Sequence, residues 1–255
     1  MLNSLYHKQR FLVRAYKYLF VYDKYEINYI RENLNPGEVA FDIGAHKGAY
    51  AYWMRRSVKK SGKIVAIEPQ PILYEYLKKM IAICGFTNVT VMDYGVSEKD
   101  SEGVITVPGK PGSISQGARI DDKKILQNKH KQDLHTINVK IRSVDSIVAE
   151  TGLKPKVIKI DVEGHEFSVL KGMAETLTEI RPRIIMECEE RHIKDFTLFD
   201  VFNFLLEKNY KGYYFQSGQK YPLSNFDLHR DQLNYFERQQ KLDHNYINNF
   251  IFEPK

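Results

Sequence analysis

Apolar residues along the chain follow two spacings in turn, and this alternation predicts the fold. Short apolar runs predict strands at 39–43, 63–67, 89–92, 157–160 and 183–187. Apolar positions three and four residues apart predict helices at 50–59, 72–84, 166–177 and 200–208. Because strands that alternate with helices form right-handed βαβ units, we expect an α/β fold with a mostly parallel sheet and helices on both faces.

The last part of the chain and one inner segment depart from this pattern. Three runs without long helices between them indicate an antiparallel C-terminal edge on the sheet, at 212–216, 220–223 and 249–252. Two further predicted strands, 104–107 and 137–142, flank a polar and basic stretch of little periodicity at 109–135. Such a stretch is a lid over the site or a mobile surface loop, and the pattern leaves both interpretations open.

Helical spacing also marks residues 1–36, which we expect to form an N-terminal helical extension ahead of a main domain at 37–255. Basic residues lie between its apolar positions, at Lys8, Arg10, Arg14 and Lys17. The pattern leaves open whether this amphipathic helix covers the core, contacts a membrane surface or gates the substrate. No apolar run reaches the roughly 18 residues of a membrane span, so we expect no transmembrane segment.

The composition narrows the class of protein without selecting a partner. A hydrophobic content of 43% and a charged content of 27% are typical of a globular domain. Two cysteines, Cys84 and Cys188, cannot form a disulfide framework and suit a reducing compartment, so we expect a cytoplasmic location. The formal net charge of +6 permits nucleic acid, anionic lipid or an acidic glycan as partner but selects none, and the oligomeric state stays open.

The segment VAFDIGAHKGAY, residues 39–50, is the first candidate ligand site. Its apolar run ends at Asp42, and glycines follow at Gly44 and Gly48. Ligands of open α/β sheets bind outside the carboxyl ends of the strands. The loop lacks the G-x-G-x-x-G spacing of dinucleotide sites, and Asp42 repels a pyrophosphate but suits a cation. S-adenosylmethionine, which carries an ammonium, a sulfonium and no phosphate, therefore fits this loop better than a dinucleotide.

The ends of the next two strands extend this site. Glu68 follows the second strand, where a carboxylate can accept hydrogen bonds from both ribose hydroxyls. Asp93 and the two residues after it follow the third strand, where we expect the adenine edge. The predicted cofactor contacts are Asp42, Gly44, Ala45, His46, Gly48, Tyr50, Glu68, Pro69, Asp93, Tyr94 and Gly95.

Charged residues interrupt the fourth and fifth apolar runs. Lys159 lies inside the fourth, and Asp161 is two residues further on the same face. The fifth run ends in Glu187 and Glu189. Because a buried lysine or carboxylate is costly unless paired, we expect a cluster that joins Lys159 to Glu187 or Asp161. Whether this cluster takes part in chemistry or is a structural ion pair between two strands stays open.

Methyl transfer to a hydroxyl requires positioning of the acceptor and a base. Asp161, Glu163 and His165 are the candidates at the expected transfer site, beside the Lys159 and Glu187 cluster. A divalent metal held by Asp161 with one of the two glutamates would also acidify a hydroxyl. The sequence shows no pattern of ligand spacing, so we do not expect a metal.

Taken together, these motifs resemble the FkbM-type family of S-adenosylmethionine-dependent methyltransferases. FDIGAHKGAY and IEPQP resemble its two cofactor motifs, IKIDVEGHEFSVLKG the block after the fourth strand, and PRIIMECE the fifth-strand block. The resemblance runs from Gly37 to Glu189, with a tail at 249–254. It implies a class I methyltransferase fold, Rossmann-like with a seven-stranded sheet, and O-methylation of hydroxyls on sugars or natural products.

Position by position, the resemblance implies that cofactor binding falls to Asp42, Gly44, Gly48 and Glu68, and that the transfer site is faced by Asp161, Glu163 and His165. His46 and Asp93 stand where such motifs often carry asparagine.

The leading hypothesis is thus an O-methyltransferase acting on a sugar, a glycan or a glycosylated natural product. The alternative is an RNA methyltransferase, which the basic charge and 109–135 favour. No Asn/Asp-Pro-Pro-aromatic block ends the fourth strand, so we expect no nucleic-acid partner. A non-catalytic fold that binds the cofactor structurally is the third hypothesis.

Overall fold

The computed structural model describes residues 2–110, 112–115, 118–121, 134–237 and 245–255. The strands are β1 Val39–Ile43, β2 Lys63–Ile67, β3 Val89–Met92, β4 Tyr94–Val96, β5 Ser101–Pro108, β6 Arg119–Asp121, β7 Leu134–Arg142, β8 Val157–Ile160, β9 Arg183–Glu187, β10 Tyr210–Gln216, β11 Gln219–Pro222 and β12 Asn249–Pro254. The helices are α1 Leu2–Lys17, α2 Lys24–Asn33, α3 Ala49–Val58, α4 Pro71–Cys84, α5 Val144–Thr151, α6 Glu166–Lys171, α7 Leu198–Glu207 and α8 Asn234–Glu237. A π-helical turn, Tyr18–Tyr22, joins α1 to α2.

The main sheet follows the order β11-β10-β12-β9-β8-β1-β2-β3. The five strands from β9 to β3 are parallel, and β12, β10 and β11 add to them in antiparallel pairs. This confirms the α/β class and the antiparallel C-terminal edge. Among the described residues the sheet has eight strands and not the seven that the family resemblance implied, because β11 folds back on β10 as an additional edge strand.

A second sheet, ordered β4-β7-β5-β6, lies beside the first. The predicted strands at 104–107 and 137–142 form its antiparallel pair β5 and β7, whose apolar residues make a small core of their own. Sequence spacing missed β4 and β6, since three-residue strands are too short to show a period. Of the stretch 109–135, for which the sequence leaves both a lid and a mobile surface loop open, residues 111, 116, 117 and 122–133 lie outside the described part of the chain.

Alternating residues of the central strands enter two different cores. Phe41 and Ile43 point to the core beneath α5, α6 and α7, while Ala40 and Ile64 belong to the core on the other face, with α1 to α4. Because successive side chains of a strand point to opposite faces, these short apolar runs support a helix layer on each side. The expectation of helices on both faces of the sheet is confirmed.

The N-terminal helices pack on α3. Phe11 and Ile27 are fully buried there, and the Trp53 indole Nε1 donates a hydrogen bond of 2.8 Å to the Ala15 carbonyl. This packing places the end of α1 and the π-helical turn beside the carboxyl ends of the central strands. Within the described residues, no helix combines the length and the apolar character that a membrane crossing needs.

Candidate active site

A cavity of about 820 Å³ lies at the carboxyl ends of β1, β2, β8 and β9. Its size falls in the range of small-molecule sites. The second sheet closes one side through Tyr94, Gly95, Ile105 and Ile120, and the N-terminal helices close another. The cavity therefore occupies the place where open α/β sheets bind their ligands.

The loop after β1 uses its backbone donors internally. The amides of Gly44 and Ala45 both donate to the Ile67 carbonyl, at 3.0 and 2.9 Å. The His46 amide donates to Glu68 Oε2 at 2.8 Å. Phosphate-binding loops direct such amides at the ligand, so the loop is not built as a phosphate cradle.

Asp42 is buried at the end of β1 and lines this cavity. Its Oδ2 accepts a hydrogen bond of 2.8 Å from the Ala51 amide. In the part of the chain that the structure describes, the buried Oδ1 has no hydrogen-bond partner. Burial raises the pKa of Asp42 from its usual 3.8 to about 6. A carboxylate with one open, buried oxygen suits a cationic ligand group.

The two glycines of the loop have packing roles. Gly44 has φ of +78°, and a Cβ there would lie 1.8 Å from the Asp161 carbonyl oxygen. Gly44 thus permits the ends of β1 and β8 to approach, in addition to lining the cavity. A Cβ on Gly48 would lie 2.5 Å from Leu77 Cδ1 and 3.3 Å from the Phe11 ring, and Gly48 is not among the lining residues.

Glu68 is fixed at the end of β2 by two backbone amides. Oε2 accepts from His46, and Oε1 accepts from Gln70 at 2.9 Å. Burial raises the pKa of Glu68 to about 7. The Gln70 side chain in turn bonds the backbone of Ser115 in both directions, at 3.0 and 3.2 Å. The described start of the 109–135 stretch therefore lies against the cavity.

The other predicted cofactor contacts divide into two groups. Ala45, His46, Tyr50, Pro69, Tyr94 and Gly95 line the cavity, whereas Asp93 is exposed and does not. Burial, together with the positive charges of Lys47 and Arg14, lowers the pKa of His46 to about 4. His46 is thus neutral near pH 7.

The predicted cluster at the ends of β8 and β9 is present. Lys159 Nζ lies 2.7 Å from Asp161 Oδ2 and 4.8 Å from the Tyr50 ring centroid, and its side chain is only 3% exposed. Burial alone would lower the pKa of Lys159, but the Asp161, Asp42 and Glu187 carboxylates together raise it. Lys159 therefore stays charged. Of the two partners considered, Asp161 forms the ion pair, while Glu187 Oε1 accepts from Asn248 Nδ2 at 2.9 Å.

The segment after β8 brings Glu163 beside a histidine from another loop. Glu163 has φ of +55°, and its Oε2 lies 3.2 Å from His192 Nδ1. Burial, reinforced by the Asp161 charge, raises the pKa of Glu163 to about 8. A Cβ on Gly164 would lie 2.3 Å from the His192 carbonyl oxygen, so this glycine permits the two segments to meet. Both Glu163 and His192 line the cavity.

His165 takes a different position. Its Nε2 lies 2.9 Å from Ser97 Oγ, just before α6 begins, and it is not among the residues that line the cavity. The buried Glu166 next to it accepts hydrogen bonds from the Val162 and Gly164 amides, at 3.3 and 3.0 Å. These contacts hold the turn that carries Glu163.

Sequence reasoning missed several lining residues. They lie in segments that carry no motif, at the N-terminal helices and beyond Glu189: Arg14, Tyr18, Tyr22, Asp23, Arg191, His192 and Asn248. Glu189 pairs with Arg191 at 2.5 Å and accepts a hydrogen bond from the Tyr246 hydroxyl. In the described ranges, no group of three or more His, Cys, Asp or Glu side chains is arranged to hold a metal.

Comparison with known proteins identifies the family. The profile described as Methyltransferase FkbM domain matches residues 42–212, about two thirds of the chain. The chain belongs to the FkbM methyltransferase family. One relative of this FkbM chain, Methyltransferase sdnD of Sordaria araneosa, is 26% identical over 196 residues, covering 69% of this chain and 74% of that protein.

Two further proteins are similar to this FkbM chain. Hexuronic acid methyltransferase AglP of Haloferax volcanii is 26% identical over 155 residues, which cover 60% of this chain and 57% of AglP. The crystal structure of Methyltransferase FkbM from Methylobacillus flagellatus KT has a TM-score of 0.53 at 17% identity, covering 89% of this chain and 50% of that one. This chain thus spans about half the length of that protein. The family resemblance and the class I fold are confirmed.

Proposed function

We propose that this methyltransferase uses S-adenosylmethionine and methylates a hydroxyl group of a sugar. The observation that carries the proposal is the pair of buried carboxylates, Asp42 and Glu68, at successive strand ends of one cavity. The loop between them offers no phosphate cradle, and Asp42 keeps one oxygen open. This arrangement favours a cationic nucleoside over a dinucleotide.

The residues of the cavity fit this cofactor. Seven carboxyl groups line it in the described part of the chain, and those that are ionised attract an ammonium and a sulfonium. Asp42 would hold the ammonium, Glu68 the ribose hydroxyls, and the apolar side chains of Ile105 and Ile120 would flank the adenine. When bound, S-adenosylmethionine supplies an electrophilic methyl group.

The pair of Glu163 and His192 can take up the proton that the acceptor hydroxyl loses when it is methylated. Where Glu163 is ionised, above its pKa of about 8, its carboxylate accepts a hydrogen bond from His192 Nδ1–H and leaves Nε2 to take up a hydroxyl proton. The carboxylate then stabilises the imidazolium that forms. Burial lowers the pKa of His192, which keeps the ring neutral and ready to accept the proton. The ion pair of Lys159 and Asp161 would position the neighbouring carboxyl groups of Asp42 and Glu187.

An acidic sugar is the acceptor class that we favour. Arg14 and Lys47 line the cavity and form no ion pair with a carboxylate of the described residues. Two open cations at one side of the site suit a uronate carboxylate, and the name of AglP, a hexuronic acid methyltransferase, agrees with this. The carboxylates elsewhere in the cavity repel a polyphosphate backbone, which argues against the RNA alternative.

Calorimetry with S-adenosylhomocysteine tests the cofactor assignment. We expect binding by the unaltered protein and an affinity at least about tenfold lower for Glu68→Gln, because a charge-assisted contact contributes about 1.5–3 kcal/mol. Glu102→Gln, an exposed change on β5, is the control and should bind normally. Absence of binding by the unaltered protein would contradict the proposal.

A labelled-methyl assay tests the acceptor class. S-adenosylmethionine is offered with glucuronides, with neutral glucosides and with RNA oligonucleotides. We expect transfer to the glucuronides, and we expect Arg14→Gln to raise KM for them without changing the turnover of any neutral acceptor. Transfer to RNA with a steep salt dependence would instead support the RNA alternative.

A further inference from the structure

The N-terminal helix exposes an unusual concentration of apolar side chains. Seven of the twelve large hydrophobic side chains that are exposed in the described part of the chain lie between Leu5 and Tyr22. Phe20 and Val21 are each 67% exposed. Isolated exposed apolar residues are ordinary, but a contiguous set marks an interaction surface.

Part of this set forms a row on α1. Tyr6 and Val13 are seven residues apart, which is about two helical turns, and both are exposed. Phe20 and Val21 follow in the π-helical turn and are exposed as well. The opposite side is formed by Phe11 and Ala15, which are buried against the core. The outward N-terminal face is defined by Leu5, Tyr6, Arg10, Val13, Lys17, Phe20 and Val21.

The charge of this segment is entirely positive. Residues 1–22 contain Lys8, Arg10, Arg14 and Lys17 and no aspartate or glutamate. Arg10 and Lys17, also seven residues apart, flank the exposed apolar row. Two copies of such a face would repel each other, whereas an anionic surface would attract it. Aromatic and aliphatic groups flanked by basic ones are the composition of helices that lie in a bilayer interface.

The outward N-terminal face also adjoins the cavity. Tyr22 is 63% exposed and lines the cavity, together with Tyr18 from the same turn. We propose that the outward N-terminal face docks on an anionic lipid bilayer and holds the mouth of the cavity beside the membrane. The reaction then reaches acceptors that are attached to lipids. The docking does not depend on the identity of the cofactor or of the acceptor.

Vesicle sedimentation tests the docking with the full chain. We expect binding to vesicles of equal parts phosphatidylcholine and phosphatidylglycerol, weak binding to phosphatidylcholine alone, and release at high salt. Arg10→Gln with Lys17→Gln should lower the partition coefficient about 25-fold, since each basic residue contributes roughly fivefold. Phe20→Ser with Val21→Ser should lower it at least about tenfold.

Matched controls change residues of the same type elsewhere. Lys60→Gln with Lys154→Gln removes two exposed basic residues near the amino ends of β2 and β8, and Phe199→Ser removes an exposed aromatic of α7. Both should bind vesicles normally, and circular dichroism should show every variant folded. Equal binding to both vesicle types, no binding to either, or equal losses in the controls would overturn the proposal. A dimer in solution that Phe20→Ser with Val21→Ser dissociates would also overturn it, since a second copy would then cover the face.

Discussion

Replacing Asp42 by asparagine is expected to stabilise the ligand-free protein while weakening its binding of cofactor. Burial raises the pKa of Asp42 from its usual 3.8 to about 6, even with Lys159 nearby. That difference corresponds to a folding penalty of about 3 kcal/mol once the group is ionised. Asparagine keeps an oxygen for the Ala51 amide and removes the charge, but its own buried amide takes back part of the gain.

The net stabilisation by Asp42→Asn should be about 1–2 kcal/mol, or about 2–8 °C in Tm for a chain of this size. The size of this stabilisation depends on pH in a defined way. Because the folded pKa lies above the unfolded one, the penalty is absent below about pH 4 and complete above about pH 6. The gain from the substitution therefore grows across that window and is small in acid.

Thermal unfolding at about pH 4 and about pH 8 measures the stabilisation by Asp42→Asn. Calorimetry with S-adenosylhomocysteine measures the loss of cofactor affinity. We expect affinity to fall about 10- to 100-fold, since a charge-assisted contact to the ammonium is lost. Asp93→Asn, at the exposed acid outside the cavity, is the control and should change neither quantity. A variant that is less stable at both pH values and binds normally would refute the reasoning and make Asp42 a purely structural acid.

Three other substitutions follow from contacts in and around the site. Lys159→Met should lower the free energy of unfolding in urea by about 3–5 kcal/mol, because it leaves buried carboxylates without a cation, and Asp161→Asn in the same chain should recover part of the loss. Gly44→Ala should destabilise far more than Gly85→Ala: both glycines have positive φ, but only at Gly44 would the Cβ meet a carbonyl, at 1.8 Å, and equal losses would contradict this contact. His192→Ala should lower kcat about 100-fold with unchanged affinity for S-adenosylhomocysteine, and an unchanged kcat would remove it as the base.

The strands of the main sheet were predicted well from the sequence because burial on both faces leaves a strong local signal. The apolar runs at β1, β2 and β8 could be placed without knowledge of their neighbours. The helix α5 was missed, although Ser143 caps its start by accepting from the Ser146 amide at 3.1 Å. The second sheet was missed as a unit, because β7 pairs with β4 at a separation of 46 residues and with β5 at separations of 26 to 40 residues.

The residues of the candidate site also divide into those that the sequence predicted and those that only the folded chain brings into the site. Asp42, Glu68 and Asp161 could be predicted because each directly follows or ends an apolar strand, and parallel strands end at one edge. His165 was predicted at the transfer site on chain proximity alone, but the start of α6 directs it to Ser97. His192 could not be found from the sequence, since its loop carries no motif and reaches Glu163 only in the folded chain.

The sequence by itself determined the family, the strand ends that carry the acids and the basic, apolar character of the first helix. These properties are local, because they depend on residue type and on spacing within one element. Only the tertiary structure decided which charges pair, which histidine enters the cavity and which side of the first helix faces outward. Pairing and burial are set by packing between distant segments, where a displacement of a few ångströms separates a contact from a solvated side chain.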